Sequence, residues 1–214
     1  MLSSRSELVP AVCRRPGHKF KAFEALFIAG LESATEIVNL RLLSGGIPDL
    51  ISATSDRVLF HRLRFFAEHS RWITPSIISF LQFHSTVEHL CLFHRFDNAY
   101  PLPSTGVVLP CLRTYDGPSH VVHLVIPGSP VSAATISWGF DPADPSDFDL
   151  VLSSLAKSSV PVTTLACRGY CWKLEFLPLL VKYLADIESL EFFTNGASVS
   201  ADVSRIVILL FKFV

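Results

Sequence analysis

The chain has 214 residues, half of them apolar and only 17% charged, which excludes a disordered polymer and predicts a packed core in one domain. Eighteen Lys and Arg stand against 19 Asp and Glu, so there is no basic surplus to hold a phosphate backbone, and nucleic acid is not an expected partner. The longest apolar runs, VVHLVI and IVILLF, fall far short of the ~20 residues a membrane-spanning helix needs, so no membrane association is expected.

In chain order, residues 1–19 read as a poorly ordered tail without the apolar core of a secretory signal, which makes the cytoplasm or nucleus the expected compartment. FKAFEALFIAG sets Phe20, Phe23 and Phe27 at helical spacing and ends at Gly30. IVNLRL then places apolar residues at Ile37, Leu40 and Leu42, a spacing of positions 1, 4 and 6 that suits a short strand with a lead-in. LRFFAE follows the same template with Leu63 and Phe66 but puts Glu68 third. TPSIISFLQFH predicts a helix capped by Thr74, with Pro75 at its first position and Ile77, Phe80, Leu81 and His84 on one face. VEHLCL returns to the template with Val87, Leu90 and Leu92.

Residues 99–130 are rich in Pro and Gly, with room for a short helix near 120–126, and contain LRTYDG with Leu112, Tyr115 and Gly117. VSAATI offers Val131, Ala134 and Ile136. SDFDLVLSSLAKSS reads as a helix opened by a capping-box pair, Ser146 and Asp149, with Phe148, Val151, Leu152 and Leu155 facing inward. VTTLAC supplies Val162, Leu165 and Cys167. FLPLLVKYLAD predicts a helix whose inner face is Phe176, Leu177, Leu180, Val181 and Leu184, and IESLEF supplies Ile187, Leu190 and Phe192. SADVSRIVILLFKFV reads as one more helix with no strand after it.

The first anchors of these seven phrases lie 26, 24, 25, 19, 31 and 25 residues apart. A strand-bearing phrase of L-x-x-L-x-L type recurring every ~20 to 29 residues is the leucine-rich-repeat pattern. The predicted fold is therefore α/β, a leucine-rich-repeat solenoid of about seven units over residues 20–214. A curved parallel sheet would form its concave side and helices and irregular segments its convex side, with the chain incomplete at its C-terminus. No such phrase can bury its apolar side alone, so neighbours must stack and share a core.

The phrases FLQFHSTVEHLCL, SHVVHLVIPGSPVSAATISWGF, SSVPVTTLAC and FLPLLVKYLADIESLEF together resemble the leucine-rich-repeat regions of F-box-like proteins abundant in mushroom-forming fungi, over roughly residues 20–193. The resemblance implies a substrate-recognition arm, and a Skp-type adaptor of a cullin ubiquitin ligase as partner if an F-box exists outside this chain. SELVPAVCRRPGHK carries only a faint echo of an F-box opening before Pro16 and Gly17 interrupt it.

Alternate strand residues face opposite ways, so those flanking the second and third anchors should line the concave face. The candidate partner-binding residues are Asn39, Arg41, Phe65, His89, Cys91, Phe93, Asp116, Thr135, Arg168, Glu191 and Phe193. Aromatic and Arg side chains dominate interface energetics, so this set would suit a protein-recognition surface; the plainer reading is that Phe65, Phe93 and Phe193 are partly covered by loops or mark a shifted register. No hydrolase, nucleotide or zincin signature occurs in the chain, and neither cofactor nor metal is expected.

His84, His89 and His94 read as ordinary surface or capping histidines. Cys167, on an anchor, reads as a buried thiol. The odd total of five cysteines argues against a disulfide framework. DPADPSDFD reads as a solvated loop entering a helix rather than a calcium site. The expected function is thus a non-enzymatic protein-protein interaction module. A truncated repeat fragment without its own function is the alternative, and an undetected enzyme the remote one.

Overall fold

All seven apolar phrases fall on strands of one sheet. The computed structural model describes residues 19–34, 36–42, 58–70, 73–94, 102–138, 145–169, 176–194 and 205–208. The strands are β1 (Asn39–Leu42), β2 (Phe65–Ser70), β3 (His89–His94), β4 (Thr114–Pro118), β5 (Ala133–Ser137), β6 (Thr164–Gly169) and β7 (Ser189–Thr194). They lie side by side in chain order, all parallel, in a single sheet. The second anchors pair in one line: Leu40, Phe66, Leu90, Tyr115, Ala134, Leu165 and Leu190. The uneven intervals on either side of Val131 leave this register undisturbed, because the extra residues fall outside the strands.

Each junction is closed by the same group. The carbonyl one residue past a first anchor accepts two amides from the next segment. Val38 O takes them from Arg64 and Phe65 at 2.8 and 3.0 Å, Arg64 O from Glu88 and His89 at 2.8 and 2.9 Å, and Glu88 O from Arg113 and Thr114 at 2.8 and 3.1 Å. Arg113, Ser132 and Thr163 repeat the arrangement for β5, β6 and β7. A carbonyl has two lone pairs, so one acceptor can hold both incoming amides and start the next parallel ladder at a fixed place.

The anchors bury one face of the sheet. Twenty of the 21 are buried and Ile37 is partly buried. Against that face pack the helices α2 (Pro75–Phe83), α4 (Pro145–Leu155) and α5 (Phe176–Tyr183). A 3-10 turn (Ser119–Val121) running into the one-turn helix α3 (Val122–Val125) joins them, and all contribute to one apolar cluster. Two aromatic groups fill it: Phe60, Phe66 and Phe80 around His84, and Trp138, Phe148, Phe176 and Phe192, whose ring centroids lie 5.3–5.9 Å apart. At full burial each large apolar side chain contributes roughly 1.5–3 kcal/mol.

Several sequence expectations are corrected. The first helix, α1 (Lys19–Ser33), starts one residue inside the expected tail and runs past Gly30, where a Cβ would meet nothing within 4 Å and no turn is required. Its Phe20, Phe23 and Phe27 side chains, like residues 1–18, lie outside the described residues. Thr74 occupies the N-cap of α2 with extended backbone but makes no side-chain cap bond. α4 begins at Pro145, which places Ser146 inside it rather than at its N-cap, and Asp149 accepts a bond from the Tyr183 hydroxyl at 2.8 Å.

On α5, Phe176, Leu180 and Leu184 are buried, but Leu177 and Val181 are exposed at 36% and 67%, since the inward stripe is narrower than the apolar run. Residues 205–208, read as helix, form β8 (Arg205–Ile208), antiparallel to β7. Ile206, Val207 and Ile208 are β-branched and suit a strand, and the pairing covers the outer edge of β7, whose backbone groups need partners. Among the described residues no helix is long and apolar enough to cross a membrane.

The structure also reveals an inner position that the template omits. In five segments the first-anchor amide donates to the carbonyl three residues earlier, at Ala34, Phe60, His84, Leu109 and Leu184. Phe60, His84, Leu109 and Leu184 are buried there. His84 takes this apolar place by satisfying both its nitrogens: Nδ1–H donates to Phe80 O at 2.7 Å, and Nε2 accepts the amide of Phe60, its counterpart one segment earlier, at 3.1 Å. Ser129 Oγ serves Leu109 in the same way, accepting its amide at 2.9 Å while donating to Val125 O. Buried turn amides are thus satisfied by a polar side chain of the following segment, as burial requires.

Two stability measurements follow. Burial holds the His84 imidazole below its ordinary pKa, outweighing the Phe80 and Val58 backbone bonds that oppose the shift. The unfolded chain therefore binds the proton first. The His84 contribution to stability is complete above about pH 6.5 and is lost as pH falls below it, with a slope of at most about 1.4 kcal/mol per pH unit. Chemical denaturation across pH 5–8 should show His84→Gln lacking that slope; equal slopes in the two proteins would contradict it. At Gly117, in the third-anchor place, a Cβ would lie 2.7 Å from the buried Tyr115 hydroxyl and 3.3 Å from Leu92 Cβ. The Tyr115 hydroxyl is itself fixed by donation to Pro118 O at 2.8 Å. Gly117→Ala should destabilise by about 1–3 kcal/mol, read from the same denaturation experiment.

Candidate functional site

The face of the sheet opposite the core is uncovered by any described helix, and the register arranges its side chains in three rows. One row runs Asn39, Phe65, His89, Thr114, Ala133, Thr164, Ser189, and the next Arg41, Ala67, Cys91, Asp116, Thr135, Ala166, Glu191. The third contains His69, Phe93, Pro118, Ser137, Arg168 and Phe193. All eleven candidate partner-binding residues therefore lie on this one face. Asn39, Arg41 and Phe93 are exposed, and Phe65, His89, Cys91, Asp116, Thr135, Arg168, Glu191 and Phe193 are half-buried.

Side chains on the face bind one another across strands. The Arg41 guanidinium sits 4.8 Å from the Phe65 ring centroid. His69 stacks on Phe93 with centroids 4.1 Å apart and planes 27° from parallel. Ala67, between these pairs, is 2% exposed, so the rings close over the backbone there. His89 Nδ1 and Thr114 Oγ1 are 2.7 Å apart. From β6, Arg168 reaches over β5 to β4, its Nη1 donating to both oxygens of Asp116 at 2.9 and 3.3 Å. Such a reach is possible because β5 presents only Ala133, Thr135 and Ser137 beneath it. Arg168 also lies 6.0 Å from the Phe193 ring centroid. Residue spacing of 52 along the chain left this ion pair invisible until the register aligned it.

The electrostatics of the face are set by partial burial. Burial raises the Asp116 carboxyl above the usual carboxylate range, and this outweighs the Arg168 charge and hydrogen bond, which pull it down. Burial and the Asp116 charge likewise raise the Cys91 thiol, against the opposing pull of Arg41 and Arg168, so Cys91 is a protonated, weakly nucleophilic thiol at neutral pH. Cys167, on its anchor, is fully buried and pushed up further by desolvation.

The remaining chemistry-bearing residues do not converge. His84 and His89, five residues apart, are separated by the sheet: one is buried with both nitrogens bonded, whereas the other bonds Thr114 on the open face. His84 is thus not a surface histidine, though it does cap α2. The side chain of His94, and Cys171, Asp141 and Asp144 altogether, fall outside the described residues. Among the described residues no three His, Cys, Asp or Glu side chains are grouped to hold a metal. An open cleft of about 250 Å³ lies at the C-terminal ends of α4 and α5, lined by Ser158, Pro161, Val162, Tyr183 and Asp186 among others; the Tyr183 hydroxyl there is already engaged by Asp149 and Lys182.

No family model, curated protein or solved structure matches the chain.

Because its folded pKa is raised, Asp116 favours folding when protonated and loses that contribution as pH rises through the raised value; at neutral pH its charge opposes folding. Asp116→Asn should therefore melt at or above the wild-type temperature at pH 7, the reverse of what removal of a stabilising ion pair does. A clear fall in Tm would show that the pair stabilises the fold.

Proposed function

We propose that the chain is a leucine-rich-repeat solenoid acting as a non-enzymatic protein-protein interaction module, with the open sheet face as its binding surface. The observation that carries this reading is the composition of that face. It displays a cation over a ring, Arg41 on Phe65, and a stacked ring pair, His69 on Phe93, together with the ion pair of Asp116 and Arg168. Aromatic and Arg side chains gathered on one face that no described helix covers are the residue types that anchor protein interfaces. The regular spacing of the seven phrases and the recurring carbonyl junction support the solenoid. Association with a Skp-type adaptor, and hence a role in ubiquitin ligation, rests on the resemblance to F-box-like proteins alone.

Affinity capture tests the reading. The immobilised chain should retain a reproducible protein set, quantified by mass spectrometry. Phe93→Ala and Arg168→Glu should each deplete it about tenfold while keeping the wild-type circular dichroism spectrum, whereas Val181→Ser, on the exposed side of α5, should leave it intact. Wild-type capture by both face variants would overturn the reading, and a wild-type chain that retains nothing above a blank matrix would favour the functionless fragment.

A further inference from the structure

The open face is divided in charge. Over β1, β2 and β3 it carries one fixed cation, Arg41, and four rings, Phe65, His69, His89 and Phe93, with no carboxylate among the described residues of those rows. Over β4 to β7 it carries Asp116 and Glu191 against Arg168, a net negative balance. The nearest acids flanking the first three strands are already matched: Glu36 lies 3.0 Å from Arg62, and Glu88 lies 3.6 Å from Arg64. No described carboxylate is within ion-pair distance of Arg41.

Arg41 meets the Phe65 ring at 4.8 Å. A guanidinium held over a ring by cation–π attraction keeps N–H donors that a carboxylate can accept from. Beside it, Phe93 is 38% exposed and stacked on His69, an apolar shelf on which an aromatic or aliphatic side chain can be desolvated. Ala67 is closed off beneath, so a ligand meets rings and guanidinium rather than backbone, and selectivity must come from charge and shape.

Resting on the interaction-module reading, we propose that the partner presents an acidic protein segment whose carboxylate pairs with Arg41 and whose apolar anchor seats on the His69–Phe93 shelf. The segment lies over β1–β3, where the face offers Arg41 and no described carboxylate, rather than over β4–β7, where Asp116 already holds Arg168. Charge complementarity selects this occupant over a basic or neutral one.

The test is selection of a phage-displayed library of short random peptides on the full chain, with the enriched peptides synthesised and titrated by fluorescence anisotropy. Enrichment in Asp and Glu around one aromatic or aliphatic residue is expected. Affinity should fall steadily with added salt, by about tenfold in Arg41→Glu and about fivefold in Phe93→Ala, and not at all in Val181→Ser. Arg41→Gln, which removes only the charge, replaces Arg41→Glu should the latter fail to fold, and should weaken binding in the same direction. Basic or neutral peptides that lose binding in the face variants would overturn the acidic chemistry while leaving the open face as the binding surface. Peptides indifferent to every face substitution would overturn both. Self-association of the chain, or tighter binding of a labelled oligonucleotide, abolished by Arg41→Glu would assign the patch to a different occupant and overturn the proposal.

Discussion

A single carbonyl oxygen per segment, accepting two amides from the next, is the constraint on which the rest of the structure depends. Val38, Arg64, Glu88, Arg113, Ser132 and Thr163 each perform this role, at 2.8–3.3 Å. Because the junction lies before the strand, it sets where each parallel ladder begins whatever the length of the connection that precedes it. A connection of 19 residues and one of 31 between first anchors therefore deliver their strands to the same register. A parallel ladder slipped by one residue would move every anchor to solvent, and twenty of 21 anchors are buried.

Fixed register has a second consequence, on the face away from the core. Side chains far apart in the chain become neighbours by row, which is how Arg168 meets Asp116 and His69 meets Phe93. The small residues of β5 allow one side chain to span a strand, and the rings of β2 and β3 close over Ala67. The two faces of the sheet thus differ in what they carry: apolar anchors on one, cross-strand pairs of charges and rings on the other. At Asp116 burial and pairing act against each other, since desolvation raises the carboxyl while the Arg168 charge pulls it down.

The polar residues inside the core show a different economy. His84 and Ser129 occupy places where apolar side chains would pack, and each accepts a buried turn amide from the segment before it. Nothing in the local pattern marks them. A histidine at the end of a helical run reads as a surface cap, because its two backbone partners, Phe80 O and Phe60 N, come from its own helix and from a turn 24 residues earlier. The exposed Leu177 and Val181 and the strand at 205–208 likewise depart from what local pattern predicts. Apolar spacing records which side chains are available to be buried, whereas the width of the buried stripe and the pairing of a sheet edge depend on neighbours.

The amino-acid sequence by itself determined the seven parallel strands, their register and which of their residues share each face of the sheet. Each of these follows from a local alternation of apolar and polar side chains, repeated often enough for its period to be read. Only the tertiary structure decided the cross-strand pairs on the open face, the bonding of His84 and Ser129, the fit of Gly117 against Tyr115 and the antiparallel strand on the edge of β7. Those depend on distances between residues that no local periodicity encodes, because they arise when stacked segments bring separate parts of the chain within hydrogen-bond or van der Waals reach.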